Sequence, residues 1–175
     1  MLTIEFDDFS LNCNRLDLFA ELKKINPAFK VTVYAIPALC PEAFLKSVPD
    51  YIELAVHGWA HSPAHECKLW IKEDMLNLLD KPIIKLFVKG FKAPWYAISN
   101  GCYEGLKERG YWVSDVQINK IRWPDGMKVY VNETDKNCWY GHLGEHNKDG
   151  LKVNFSKLVE RIKDEKEFKF VSERV

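Results

Sequence analysis

Two histidines four residues apart and two adjacent acids are the groups in this sequence whose types and spacing suit metal chemistry. Residues 53–63 read E-L-A-V-H-G-W-A-H-S-P, a short, mostly apolar strand with His57 at its end. His61 follows across the small residues Gly58 and Ala60. Imidazole is the commonest protein ligand for transition metals, and two at this spacing share a face if the loop takes a helical turn. The H-x-x-x-H pattern is short, so a strand-capping His57 with a solvated His61 also satisfies it. Asp7 and Asp8 follow a β-prone run over residues 2–6. One carboxylate there can ligate a metal while its neighbour stays free as a base. The same pair also suits the start of a helix, whose dipole favours acids.

These groups need elements to hold them. Residues 16–22 have helical apolar spacing, and that helix stops near Asn26-Pro27, because proline disfavours helix in the residue before it. Residues 31–35 are a β-branched strand, Pro41-Glu42 opens a brief helix, and 53–56 form a third strand. Residues 68–79 carry Leu69, Ile71, Met75, Leu76 and Leu79 in a helix-like pattern, and 83–88 read as a strand. Ser99 caps a helix running to Arg109, with Gly110 as its stop. Strands follow at 111–113, 128–131 and 137–141, Asn154 or Ser156 caps a last helix to Lys163, and 168–171 close the chain as a strand. Strands alternating with helices imply parallel pairing and right-handed crossovers. The choices are an open doubly wound sheet or a compact, incomplete (β/α) barrel of about seven strands, both of which carry active groups at strand C-termini. Asp7, Asp8, His57, Lys92, Asp115 and His142 all fall at such ends.

The totals narrow the class. A chain of 175 residues is most simply one domain. Its 47% apolar content fits a globular protein. Lys plus Arg equals Asp plus Glu at 25 each, so no global charge bias points to nucleic acid or an acidic membrane. No apolar run approaches the roughly 20 residues of a membrane helix. The acidic N-terminus does not read as a signal peptide, so a cytoplasmic location is expected. Five scattered cysteines without a C-x-x-C pair suit a reducing compartment, where they act as small buried hydrophobes.

Taken in order, these segments resemble the polysaccharide deacetylase family, the NodB homology domain of carbohydrate esterase family four. The family's T-F-D-D-G is met by Thr3-Ile4-Glu5-Phe6-Asp7-Asp8-Phe9, which keeps F-D-D. Its H-(S/T)-x-x-H is met by His57-Gly58-Trp59-Ala60-His61, with Gly58 in place of the hydroxyl residue. Its R-x-P-Y is met by Lys92-Ala93-Pro94-Trp95, and its strand ending in L-x-H by Trp139-Tyr140-Gly141-His142. The resemblance implies an incomplete (β/α) barrel and one divalent transition metal held by Asp8, His57 and His61. Zinc is the first choice, with cobalt, iron, manganese or nickel as alternatives. It further implies Asp7 as general base, His142 as general acid held charged by Asp115, and Lys92 in the place of the arginine that pairs with the base. Trp95 would lend its backbone N–H to the oxyanion, and Trp95 and Trp139 are expected to face the sugar.

Three departures qualify these roles. Lysine offers a point charge without arginine's bidentate fork, so Lys92 should orient Asp7 less firmly. His146, four residues after His142, is the alternative acid. Asn119 stands where the family has a tryptophan, a space that Trp123 is a candidate to fill. His65 and Cys67 are read as loop residues beyond the ligand set. The implied activity is metal-dependent removal of N-acetyl or O-acetyl groups from a carbohydrate. A metal-dependent amidohydrolase on a small amide and a sugar-binding pseudoenzyme on the same fold are the rivals.

Overall fold

The alternation in L-T-I-E-F-D sorts β1 (Leu2–Phe9) into two faces, with Leu2, Ile4 and Phe6 on one and Thr3, Glu5 and Asp7 on the other. In the computed structural model, which describes residues 1–144 and 147–175, both faces are buried. The apolar face packs into the main core with Phe19 and Leu22 of α1 (Leu16–Ile25) and with Leu158 and Ile162 of α5 (Leu151–Ile162). The polar face looks into the concave side of the sheet. A second, smaller core of Tyr34, Ala55, Trp112, Tyr130 and Val171 lies there.

The remaining strands are β2 (Val31–Ala35), β3 (Ile52–Val56), β4 (Gly90–Lys92), β5 (Trp112–Asp115), β6 (Val129–Val131), β7 (Cys138–His142) and β8 (Phe168–Lys169). All pair in parallel, in the order β6-β5-β4-β3-β2-β1-β7, and β8 joins the start of β1. Among the described residues β6 and β7 are not paired with each other, so the sheet curves into an open, incomplete (β/α) barrel, as expected. The chain end closes its floor: Val171 N donates to Thr32 Oγ1 at 3.0 Å and Ser172 N to Glu53 Oε1 at 3.3 Å. The opposite mouth carries the ends of β1, β3, β4, β5 and β7.

Helices α2 (Glu42–Lys46) and α4 (Asn100–Glu108) form where expected, α4 behind a Ser99 cap whose Oγ accepts from Cys102 N at 3.0 Å. Three expectations change. Residues 83–88 are not a strand: Pro82–Leu86 is a 3-10 turn, started by a proline whose fixed φ suits a helical first turn. The strand comes later, at Gly90, where a Cβ would meet the Trp112 ring at 2.1 Å. Helix α3 (Lys72–Leu79) starts only after a separate 3-10 turn at Glu66–Lys68. Helix α5 begins at Leu151 behind Gly150, which leaves Asn154 and Ser156 inside it rather than at its cap.

Candidate active site

Successive residues of a regular strand face opposite ways, so Asp7 and Asp8 should diverge. Instead both line one pocket of about 290 Å³ at the barrel mouth. The cause is a bulge. The β1–β2 register breaks between Phe6 and Phe9, and Asp8 takes φ 68°, a left-handed conformation that aspartate tolerates better than most residues.

His57 leaves β3 directly into this pocket and is 2% exposed. Its Nδ1 lies 2.9 Å from the Lys92 carbonyl, an acceptor, so Nδ1 carries a proton and Nε2 is the ring nitrogen turned to Asp8. That Nε2 is 3.6 Å from Asp8 Oδ1, and His61 Nε2 is 3.5 Å from the same oxygen. Donors each about 2.1 Å from a tetrahedral ion lie roughly 3.4 Å apart. One oxygen and two nitrogens, mutually within 4.8 Å, therefore fit a divalent transition ion. Burial opposes the charge on Asp8, but His57, His142 and His61 outweigh it and hold the carboxyl below its ordinary range.

Asp7 faces the same space from a different setting. Lys92 ends β4, is fully buried, and brings Nζ to 2.9 Å from Asp7 Oδ1 and 3.1 Å from Glu5 Oε1. Its aligned hydrogen bond goes to Glu5; the Asp7 contact is an ion pair, and Asp7 Oδ1 has no hydrogen-bond partner among the described residues. Burial opposes the ammonium charge, but Asp7 and Glu5, then Tyr96 and Tyr140, raise its pKa well above the ordinary lysine value; the Tyr34, Tyr96 and Tyr140 rings lie within 5.1 Å of Nζ. Glu5 also accepts from Tyr34 Oη at 2.9 Å and Asn132 Nδ2 at 2.6 Å. No spacing in the sequence singled it out, although it occupies the polar face of β1 between Thr3 and Asp7.

His142, at the end of β7, pairs with Asp7 along the strand register and lines the pocket. Its Nε2 is 4.0 Å from Asp7 Oδ2, and the Tyr140 hydroxyl bridges the two, donating to Asp7 at 3.1 Å and lying 3.2 Å from that Nε2. Burial, then the Asp7 charge, push the Tyr140 hydroxyl pKa far up, so it remains a donor.

Two expected neighbours lie elsewhere. The carboxylate beside His142 Nδ1, at 2.9 Å, belongs to Asp149 and not to Asp115. Asp115 is 1% exposed and bonded to Tyr103 Oη, to Asn119 Nδ2 and Trp123 Nε1 at 2.7 Å each, and to Val116 N at 2.8 Å. Asn119 and Trp123 thus belong to its cluster. Asn119 also donates to the Tyr96 carbonyl at 3.1 Å, so the cluster braces the turn that carries Trp95. Trp139 lines a separate groove with Lys148 and Asn154, because alternation on β7 turns Tyr140, not Trp139, toward the pocket. Trp95 does line the pocket and is 70% exposed. Cys67 lies in the Glu66–Lys68 3-10 turn and is fully buried, and His65 packs edge-on against Trp95. Cys40, Cys67 and Cys102 are buried, while Cys13 and Cys138 are half-buried. His146 lies outside the described residues.

The fold is that of the family four carbohydrate esterase domains, the polysaccharide deacetylase barrel that the motifs resemble. The chain superposes on the Xyl-CE4 domain of a multidomain xylanase from the hindgut metagenome of Trinervitermes trinervoides with TM-score 0.64 and 18% identity, covering 98% of this chain and 87% of that one. A family 4 acetyl xylan esterase from Clostridium thermocellum, in complex with a cobalt ion, gives 0.63 and 15% over 98% and 88%. A CE4 family pseudoenzyme from Bacillus anthracis gives 0.63 and 14% over 99% and 64%. No family model and no curated protein matches the sequence. No helix among the described residues is long and apolar enough to cross a membrane.

Proposed function

We propose that the chain is a metal-dependent hydrolase that removes N-acetyl or O-acetyl groups from a carbohydrate. One observation carries this reading: the Asp8, His57 and His61 donors meet at ion-binding spacing, with a second carboxylate, Asp7, and a third imidazole, His142, on the same pocket wall. Asp8, His57 and His61 would hold one divalent transition ion, zinc foremost; the cobalt ion of the Clostridium thermocellum neighbour supports the class of metal. Such an ion supplies Lewis-acid polarisation of the acyl oxygen and lowers the pKa of water.

The chain's own groups do the rest. Asp7, beside the Lys92 charge, takes a proton from the attacking water. His142 gives a proton to the departing nitrogen or oxygen, its ring oriented by Asp149. Trp95, at φ 57°, offers its backbone N–H to the developing oxyanion. The faces of Trp95 and Tyr96 suit a sugar ring. A pseudoenzyme that only binds sugar needs neither the Lys92–Asp7 pair nor the bridge from Tyr140 to His142.

The test is acetate release from acetylated chitooligosaccharides and acetylated xylan. Asp7→Asn should retain bound metal and lose about 10²–10⁴-fold in rate, the span of a general base. Full activity in that variant would remove Asp7 from the role.

A further inference from the structure

Between His57 and His61 the backbone turns through Gly58 at φ 63° and reaches His61 at φ 56°. The turn aims three consecutive amide N–H groups inward, and one side chain accepts them all. Trp59 N, His61 N and Ala60 N lie 2.7, 3.0 and 3.2 Å from Glu66 Oε1, and Ala60 N is also 3.2 Å from Oε2. Glu66 is 7% exposed, and these partners are backbone amides rather than a cationic side chain. Burying a carboxylate is costly unless hydrogen bonds replace its water. Three converging N–H groups do so, in the manner of a backbone anion nest.

Glu66 is anchored from behind. Its own N–H donates to Pro63 O at 3.0 Å, and Cys67, fully buried, accepts from Ser99 N at 3.1 Å just ahead of α4. The ligand turn is therefore fastened to the core through a side chain eight positions beyond Gly58. Gly58 is the other half of the arrangement. A Cβ there would lie 2.1 Å from Glu66 Oε1 and 3.0 Å from Pro94 Cγ. The hydroxyl residue of the family motif has no room at this position while Glu66 fills the turn.

We propose that Glu66 is the positioning residue of the ion site. Its carboxylate fixes the 58–61 turn so that His61 Nε2 meets Asp8 and His57, and it sets negative charge behind the ligands. The inference rests on reading Asp8, His57 and His61 as metal ligands.

Cobalt(II) affinity by chelator competition, the cobalt absorption spectrum, and single-residue amide exchange in metal-free protein test it together. Glu66→Ala should weaken cobalt binding about 10–100-fold, the usual effect of losing a residue that orients ligands, and should alter the spectrum. Exchange at Trp59, Ala60 and His61 should accelerate, and Glu66→Gln, which keeps an acceptor oxygen, should fall between. Gly58→Ser should cost more affinity in the wild-type background than beside Glu66→Ala, where its clash partner is gone. Wild-type affinity and spectrum in Glu66→Ala would overturn the inference. A wild type that binds no cobalt, yet loses amide protection only in Glu66→Ala, would retire the metal reading and support Glu66's hold on the turn.

Discussion

The Nδ1 of His142 faces a carboxylate at 2.9 Å, and that carboxylate sits on Asp149, in the loop after β7. Its side chain is 45% exposed, so its effect is mainly orientation: it accepts from Nδ1 and turns Nε2, the nitrogen proposed to give up a proton, toward Asp7. Asp115, by contrast, is buried and accepts from four donors, Tyr103, Val116, Asn119 and Trp123. The two acids should separate cleanly. Asp149→Asn should lower kcat for acetate release about tenfold or more with little change in thermal unfolding, since it weakens only the setting of the proposed general acid, His142. Asp115→Asn should destabilise the fold by about 1–3 kcal/mol, the cost of disturbing a buried hydrogen-bonded group. Kinetics and denaturation of the two variants check this, and the opposite ranking would restore Asp115 to the site. Asp115 was legible as a strand-end acid, but its partners come from Tyr103 and Trp123, which no one-dimensional spacing connects to it. Asp149 lay in a loop with no periodic signal at all.

Elements explain why the acids and the lysine meet. β4 and β1 are separated by two strands in the sheet, yet Lys92 spans the concave side from the end of β4 to Glu5 and Asp7 on β1. This contact bridges the concave side at the height of the site. Lys92→Met would leave two buried carboxylates without their cation and should cost about 3–5 kcal/mol. The pH course follows from the raised pKa of Lys92. A base whose folded pKa exceeds its unfolded one contributes fully below the unfolded value, about 10.4 for lysine, and loses that contribution only as pH climbs through the folded value. The stability gap between wild type and Lys92→Met in urea should therefore stay constant from pH 7 to 9.5. A gap that shrinks over this range would mean that Lys92 titrates there. Apolar period marked most of the strands and helices, but not the bulge at Asp8. A bulge depends on how β1 registers against β2, and either acid alone reads the same with or without it. The short run at 83–88 misled for a related reason: a few apolar residues fit a strand or a helical turn, and Pro82 favours the turn.

At the scale of the molecule, the order of the segments along the chain carried more than any one of them. Parallel crossovers put every strand's C-terminal end at one mouth, so Asp7, Asp8, His57, Lys92 and His142 converge although 135 positions separate the first from the last. That convergence follows from topology and was readable before any coordinate. The positioning groups, Glu5, Glu66, Tyr140 and Asp149, were not, because each acts through a contact across the barrel or a turn of backbone. The most direct measurement is acetate release from an N-acetylated glucosamine oligosaccharide by protein loaded with one equivalent of cobalt or zinc, by the same protein after chelation, and after return of the metal. Turnover with metal, its loss on chelation and its recovery on reloading are the predicted result. Equal release without metal, or no release from any acetylated carbohydrate by the loaded protein, would contradict the account.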